Sequence, residues 1–399
     1  MASKSKRRYF LFSLLILSGV VLYTLYNLFF YELPESCRNR SFYEWKKGMV
    51  SDYGLSKEEK TYTLQIQSPL MSIDKIYRSM EGPMVSKEYF ICQNPLSVLL
   101  SAYTPELIWI TGYKVELTDE KGEKLSEDFM CHNNLNIGKR NRLPWKLKTL
   151  GTDTRLFTLT EGQTEVHLPE GFGIPLLSNQ RCRIDFQVLN HNFSNINLKV
   201  HHNVTIYYKK DAECKKEVKA LYQQSAFMTK QVSGPKGNFG EAPLDSAIVM
   251  KSNSYKMENL CCSNPGKFSA NGYPFKDTYN RIYTGHWELA DTTEMLTFDV
   301  TPMLNLKKNS LVHLVSIHVH PFCKKLELTD ATESKILFST VPVNFKDKIG
   351  LKSIPLFTSK SGIQLPVGHK YVLSSIYRKT RPEKHTAMAT MFLYLEEDE

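Results

Sequence analysis

Two histidines separated by one residue, His318 and His320 in Ile317-His318-Val319-His320-Pro321-Phe322, have the types and spacing for metal chemistry. In an extended strand alternate side chains share a face, so both imidazoles project to one side and Ile317 and Val319 to the other. A third donor is available from the thioether of Met388, 70 residues beyond His318 in the apolar run Ala387 to Leu395. Imidazole with thioether is a borderline-to-soft set that favours copper over magnesium, calcium or manganese. The structural alternative makes the histidines the polar face of a strand and Met388 adaptable core filling.

A second pair lies earlier. His132 sits in Phe129-Met130-Cys131-His132-Asn133-Asn134-Leu135. His191, 59 residues later, ends the alternating run from Phe186 on the face of Gln187 and Leu189. Either histidine alone reads as a hydrogen-bonded structural residue; their interest comes from the pairing with the later group.

The elements that must position these side chains read as strands. Short apolar runs at 62–67, 107–117, 155–159, 183–189 and 198–208 are separated by Gly, Asn, Asp and Pro. They resume at 246–252, 281–289, 295–300, 310–318, 324–328, 335–340, 371–377 and 386–395. This pattern predicts an all-β fold of two antiparallel, jelly-roll-like β-sandwich domains behind one N-terminal transmembrane helix. One helix is expected over 212–228, with its Lys and Glu pairs. The boundaries are a tail at 1–8, an anchor at 9–31, a stalk at 32–60, a first domain at 61–228, a linker at 229–240 and a second domain at 241–399.

The anchor rests on composition. Lys4, Lys6, Arg7 and Arg8 precede an uncharged run of 23 residues from Tyr9 to Tyr31, long enough to cross a bilayer as a helix and edged with aromatic residues. A cleaved signal peptide would have a shorter apolar region and a small-residue cleavage site. The expected topology is a single-pass type II membrane protein of the secretory pathway, in the ER, the Golgi or at the cell surface, with everything after Glu32 lumenal or extracellular. Glycosylation sequons at Asn39, Asn192 and Asn203 agree with that side of the membrane. So do eight cysteines, Cys37, Cys92, Cys131, Cys182, Cys214, Cys261, Cys262 and Cys323, an even set suited to disulfides. The formal charge of +10 falls to +6 once the four basic residues of the tail are set aside, 47 Lys and Arg against 41 Asp and Glu. That excess forms no basic stripe with interleaved aromatics, so no nucleic-acid partner is expected.

With these residues in place, the chain resembles the copper type II, ascorbate-dependent monooxygenases, which include the peptidylglycine- and dopamine-hydroxylating enzymes. It is more similar still to their stress-up-regulated nodulin-type relatives. The shared wording runs from about residue 80 to 396 and includes Trp109-Ile110-Thr111-Gly112-Tyr113, Phe129-Met130-Cys131-His132, Gly171-Phe172-Gly173-Ile174-Pro175, Val188-Leu189-Asn190-His191-Asn192, Tyr283-Thr284-Gly285-His286-Trp287 and His318-Val319-His320-Pro321-Phe322. The resemblance implies two copper sites facing a shared cleft. One, at His318, His320 and Met388, activates dioxygen to attack a C–H bond. The other, at His132 and His191, supplies an electron, with ascorbate as reductant. The substrate, a small molecule or a peptide, is unknown.

Two positions depart from the family pattern. Asn133 stands where a second adjacent histidine belongs, and asparagine is a poor copper ligand. Met130, Cys131, His201 or His202 could complete that site, although the sequon at Asn203 suggests that the last two are exposed. The stretch after His286 lacks the Pro-Pro-Gly-Arg-His wording of the nodulin-type relatives. The alternative function is accordingly a copper-binding or interaction glycoprotein, with one ion or none, that keeps the fold without turnover. A Golgi-type glycosyltransferase would suit the topology, but the sequence has no Asp-x-Asp. Nor has it a phosphate loop, a His-Glu-x-x-His or a Gly-x-Ser-x-Gly.

Overall fold

The computed structural model describes residues 18, 19, 21, 41–47, 59–91, 105–138, 143–145, 155–237, 239, 274–277 and 279–397. Almost all of the regular structure among them is strand. The first half supplies β1 (Tyr62–Gln67), β2 (Met71–Ile73), β3 (Met84–Phe90), β4 (Leu107–Thr118), β5 (Met130–Ile137), β6 (Arg155–Leu159), β7 (Glu165–His167), β8 (Phe172–Leu177), β9 (Arg181–Val188), β10 (Leu198–Lys210) and β11 (Lys219–Phe227). The second supplies β12 (Lys230–Ser233), β13 (Pro274–Lys276), β14 (Ile282–Thr284), β15 (Trp287–Glu288), β16 (Thr293–Asp299), β17 (Ser310–Val319), β18 (Cys323–Asp330), β19 (Lys335–Thr340), β20 (Val343–Asn344), β21 (Leu351–Ser353), β22 (Phe357–Leu365), β23 (Tyr371–Arg378), β24 (Thr386–Ala387) and β25 (Ala389–Glu396). The expected strands at 62–67, 155–159 and 335–340 are reproduced to the residue.

One long sheet serves both halves, in the order β1-β10-β4-β8-β11-β25-β17-β22. Each half adds a four-stranded sheet of its own, β3-β9-β5-β6 in the first and β16-β23-β18-β19 in the second. Alternation explains the layering. Val315, Ile317 and Val319 of β17 and Met391, Leu393 and Leu395 of β25 face the second-half core. From the opposite face Leu314, Phe392 and Tyr394 enter the core of the first half. The Tyr394 hydroxyl donates to the carbonyl of Leu156 at 2.9 Å. The face of β17 that carries His318 and His320 is therefore the seam between the halves.

The joint between the halves corrects one expectation. Residues 212–228 form no long helix: a 3-10 turn at Asp211–Glu213 leads into strand β11, which pairs antiparallel with β25 over seven positions and parallel with β8 at Lys219 and Ala220. Ala220, Leu221, Gln223, Gln224, Ala226 and Phe227 are all buried. A strand between two others satisfies its backbone on both edges, and that outweighs the weak helical preference of the Lys and Glu residues before it.

Around the seam, chain 345–354 of the second half docks on the first. Lys348 pairs with Asp128 at 3.0 Å. The backbone of Ile349 bonds both ends of the Asn192 amide, at 2.8 and 2.9 Å. Leu351 donates to Glu161 at 3.1 Å, and Ile354 to the carbonyl of Gly162 at 2.8 Å. Gly162 has φ +76°, and a Cβ there would lie 3.1 Å from the Leu351 carbonyl oxygen, so the turn needs both the freedom and the bareness of glycine.

Three further expectations meet the structure here. The anchor at 9–31 lies outside the described residues apart from Ser18, Gly19 and Val21. Among the described residues no helix is long and apolar enough to cross a membrane. Cys131, Cys182, Cys214 and Cys323 are buried free thiols, which corrects the disulfide expectation for these four. Each lies on or beside a packed strand and behaves as a small apolar side chain. Cys37, Cys92, Cys261, Cys262 and the sequon residue Asn39 lie outside the described residues. Asn192 and Asn203 are half-buried, and the Asn203 amide bonds Thr118 and Gln67 across neighbouring strands at 2.8 and 2.9 Å.

Candidate metal centre

Strand β5 is unusual: all eight of its residues are buried, although four of them are His132, Asn133, Asn134 and Asn136. Buried polar groups demand partners, so both faces of this strand are built around polar contacts. Asn133 looks away from the seam. Its Oδ1 accepts a short hydrogen bond from the Tyr113 hydroxyl, and its Nδ2 meets His202 Nδ1 at 3.2 Å. His202 is therefore wholly buried, which corrects the expectation of exposure drawn from its neighbouring sequon. Its position is set by β10, which pairs with β4 on one side and β1 and β2 on the other, rather than by the local sequence.

His132 looks into the seam, where its ring centroid lies 6.1 Å from that of His318. His318 and His320 are 5.6 Å apart, and His286 stacks on His320 at 5.4 Å. Residues 186 apart in the chain, from 132 to 318, thus meet across the two halves. Two imidazoles sharing one ion, with metal–nitrogen bonds of about 2.0–2.1 Å and a ring radius of about 1.2 Å, have centroids at most about 6.5 Å apart. Each of these pairs lies within that bound. As they stand, no three His, Cys, Asp or Glu groups among the described residues converge closely enough to hold an ion.

Local chemistry fits the rings for ligation. His320 Nδ1 lies 3.0 Å from the carbonyl oxygen of Thr386, which fixes that nitrogen as the N–H donor and leaves the buried Nε2 with no partner. A backbone carbonyl on the far nitrogen is the common support of a metal-ligating histidine. The Asn134 amide lies 3.0 Å from Nδ1 of His132; turned so that its otherwise unpartnered Oδ1 accepts the Nδ1–H, it leaves the buried, unpartnered Nε2 as the lone-pair nitrogen, and Nδ1 of His318 is buried and unpartnered as well. Burial holds the imidazoles neutral, the form that binds metals. It pushes His132 down to about 3 and His320 to about 4, and holds His318 and His286 well below the usual imidazole value.

Met388 bridges β24 and β25. The register that sets Thr390 opposite His318 and Ala389 opposite Val319 brings residue 388 beside His320 when continued by one step. The Tyr377 hydroxyl ties the two together, donating to the Met388 carbonyl at 2.5 Å and accepting from the His320 N–H at 3.3 Å. Met388 is buried, yet it stands apart from the apolar clusters that take in Ala387 and Ala389.

His191 does not pair with His132. It contacts His385, at 6.2 Å between centroids, and the Ser79 hydroxyl, at 3.4 Å. These residues line a small pocket with Arg78, Pro321, Phe322 and Thr386. The structure thus brings His132, His286, His318 and His320 together at the seam and pairs His191 with His385. The wording around His286 was visible in the sequence; nothing local marked His385.

No family model matches the chain, and no curated protein does. Among solved structures it is similar to the STIV MCP, at 8% identity and a TM-score of 0.30 over 84% of this chain and 97% of that one. It is also similar to PNGase F, a glycosylasparaginase from Flavobacterium meningosepticum, at 7% identity and a TM-score of 0.32 over 85% and 97%. A peptide-N(4)-(N-acetyl-β-D-glucosaminyl) asparagine amidase gives 7% and 0.31 with the same coverage. Likeness of this size leaves function to be argued from the site itself.

Proposed function

We propose that the chain is a copper-dependent monooxygenase-like protein, with two jelly-roll-like halves carried into the secretory lumen by an N-terminal anchor. In this reading the seam histidines hold copper for hydroxylation of a C–H bond in a small molecule or peptide, with dioxygen as oxidant and ascorbate as reductant. The observation that carries it is the meeting of His132 with His318 and His320, each with a buried imidazole nitrogen that lacks a partner. Copper, where bound, would supply the one-electron chemistry that activates dioxygen. The protein's own residues do the rest. Thr386 and Asn134 orient His320 and His132, burial keeps the rings neutral and water away, and Met388 lies beside His320 as the soft donor.

A non-catalytic copper-binding role is favoured by one observation. All four seam histidines are buried, and the pocket opens beside them at His191 and His385 rather than over them. Copper content and ascorbate-driven oxygen uptake, measured on the full chain and on His318→Ala, separate the readings. One equivalent of copper and the uptake both lost in the variant support the oxygenase; one equivalent lost with no uptake in either protein supports the binding role; a copper content unchanged in the variant defeats both.

A further inference from the structure

A pair of sulfurs lies on the turn between two of the histidines. His132 and His191, the two histidines of the expected first-half site, are bridged by a turn whose side chains touch both neighbourhoods. Ser79 Oγ lies 3.4 Å from His191 Nε2. The next residue, Met80, has its Sδ 3.9 Å from Sγ of Cys131, which immediately precedes His132. Met80 N–H also donates to that Sγ at 3.4 Å, the kind of contact that supports a metal-bound thiolate.

With metal–sulfur bonds of about 2.3 Å, sulfurs 3.9 Å apart subtend roughly 115° at an ion between them, close to the trigonal angle. Thioether with thiolate is a set that selects Cu(I). The turn is firmly held. Met80 has φ +71°, an uncommon conformation for a bulky side chain. Gln187 clamps the turn by donating to the carbonyls of Met80 and Gly82 at 3.2 and 3.0 Å. On the other side, the pairing of β5 with β9 shifts register between Met130 and His132, at Cys131. Met80 is partly exposed and Cys131 buried, so the pair reaches inward from the surface.

We propose that Met80 and Cys131 form a binding site for a soft monovalent cation, Cu(I), between His191 and His132. Binding forms a sulfur–copper bond at Cys131 and releases the thiol proton to solvent; copper remains Cu(I), so no oxidant or reductant is consumed. The choice of copper rests on the proposed function, but the site itself is distinct from the seam cluster.

The test is a spectrum of the reduced full chain in detergent micelles, labelled with 13C in the methionine methyls and titrated with Cu(I) without oxygen. Met80→Leu and Met388→Leu identify the two relevant signals. The expected result is a shift of the Met80 methyl that disappears in Cys131→Ser and persists in His318→Ala, whereas the Met388 shift disappears in His318→Ala. A stationary Met80 signal beside a moving Met388 signal overturns the sulfur site and leaves the seam site standing. A moving Met80 signal with Met388 stationary supports the sulfur site and counts against the seam reading; neither moving overturns both. The unsubstituted chain decides the first point even if Cys131→Ser fails to fold.

Discussion

Replacing Glu161 by glutamine should make the protein more stable in alkali and leave it nearly unchanged in acid. The Glu161 carboxyl is buried at the turn after β6 and accepts the Leu351 N–H at 3.1 Å, which makes it a latch between the halves. Burial raises its pKa from 4.5 to about 8; the negative charge of Asp128 adds to that, and the Leu351 bond and Lys348 oppose it. The folded protein therefore favours the protonated acid. Its stability from this group is full below the unfolded value of 4.5, declines as the pH climbs to about 8, and is flat beyond. A difference of about 3.5 units at 1.36 kcal/mol each is about 5 kcal/mol, an upper bound reduced by any relaxation of the seam. Glutamine keeps an acceptor for Leu351 and cannot ionise. Urea unfolding at pH 5 and pH 9 should show wild type and Glu161→Gln within about 1 kcal/mol at the lower pH and separated by about 3–5 kcal/mol at the higher, the variant being more stable. Faster hydrogen exchange at the Leu351 amide in wild type at pH 9 would place the weakening at the seam. Parallel stabilities at the two pH values, or a less stable variant at pH 9, would refute the reasoning.

Asn134→Leu removes the amide that holds His132 Nδ1 and should weaken copper binding about 10–100-fold, read by chelator competition. Met388→Leu conserves volume and should change stability by less than about 1.5 kcal/mol in urea titrations while oxygen-dependent turnover is lost; unchanged turnover removes Met388 from the site. Asp277→Ala removes the carboxylate that bonds the wholly buried Arg281 guanidinium at 2.6 Å, and should cost about 3–5 kcal/mol by the same unfolding assay.

Much of the strand framework could be read locally, because alternation is a property of each strand by itself. The shared face of His318 and His320 followed from period two, and so did the apolar role of Ile317 and Val319. Contacts set by register between distant strands were not legible. His202 looked exposed beside its sequon but is enclosed by the pairing of β10, and Asn133 looked like a missing ligand but serves Tyr113 and His202 on the other face of β5. The residues of β11 read locally as a helix because the strand's partners, β8 and β25, are remote in sequence. The meeting of His132 with His318, and of His191 with His385, depends on how the halves dock through 345–354, which no spacing within either half encodes.

The central claim is that a first-half and second-half histidine share one copper. Electron paramagnetic resonance of the full chain loaded with Cu(II), run beside His132→Ala and His318→Ala, tests it most directly. Loss of the same single nitrogen-coupled signal in both variants is the outcome the seam geometry requires. Two signals in the unsubstituted chain, with His132→Ala removing one and His318→Ala the other, would contradict it and restore two separate centres.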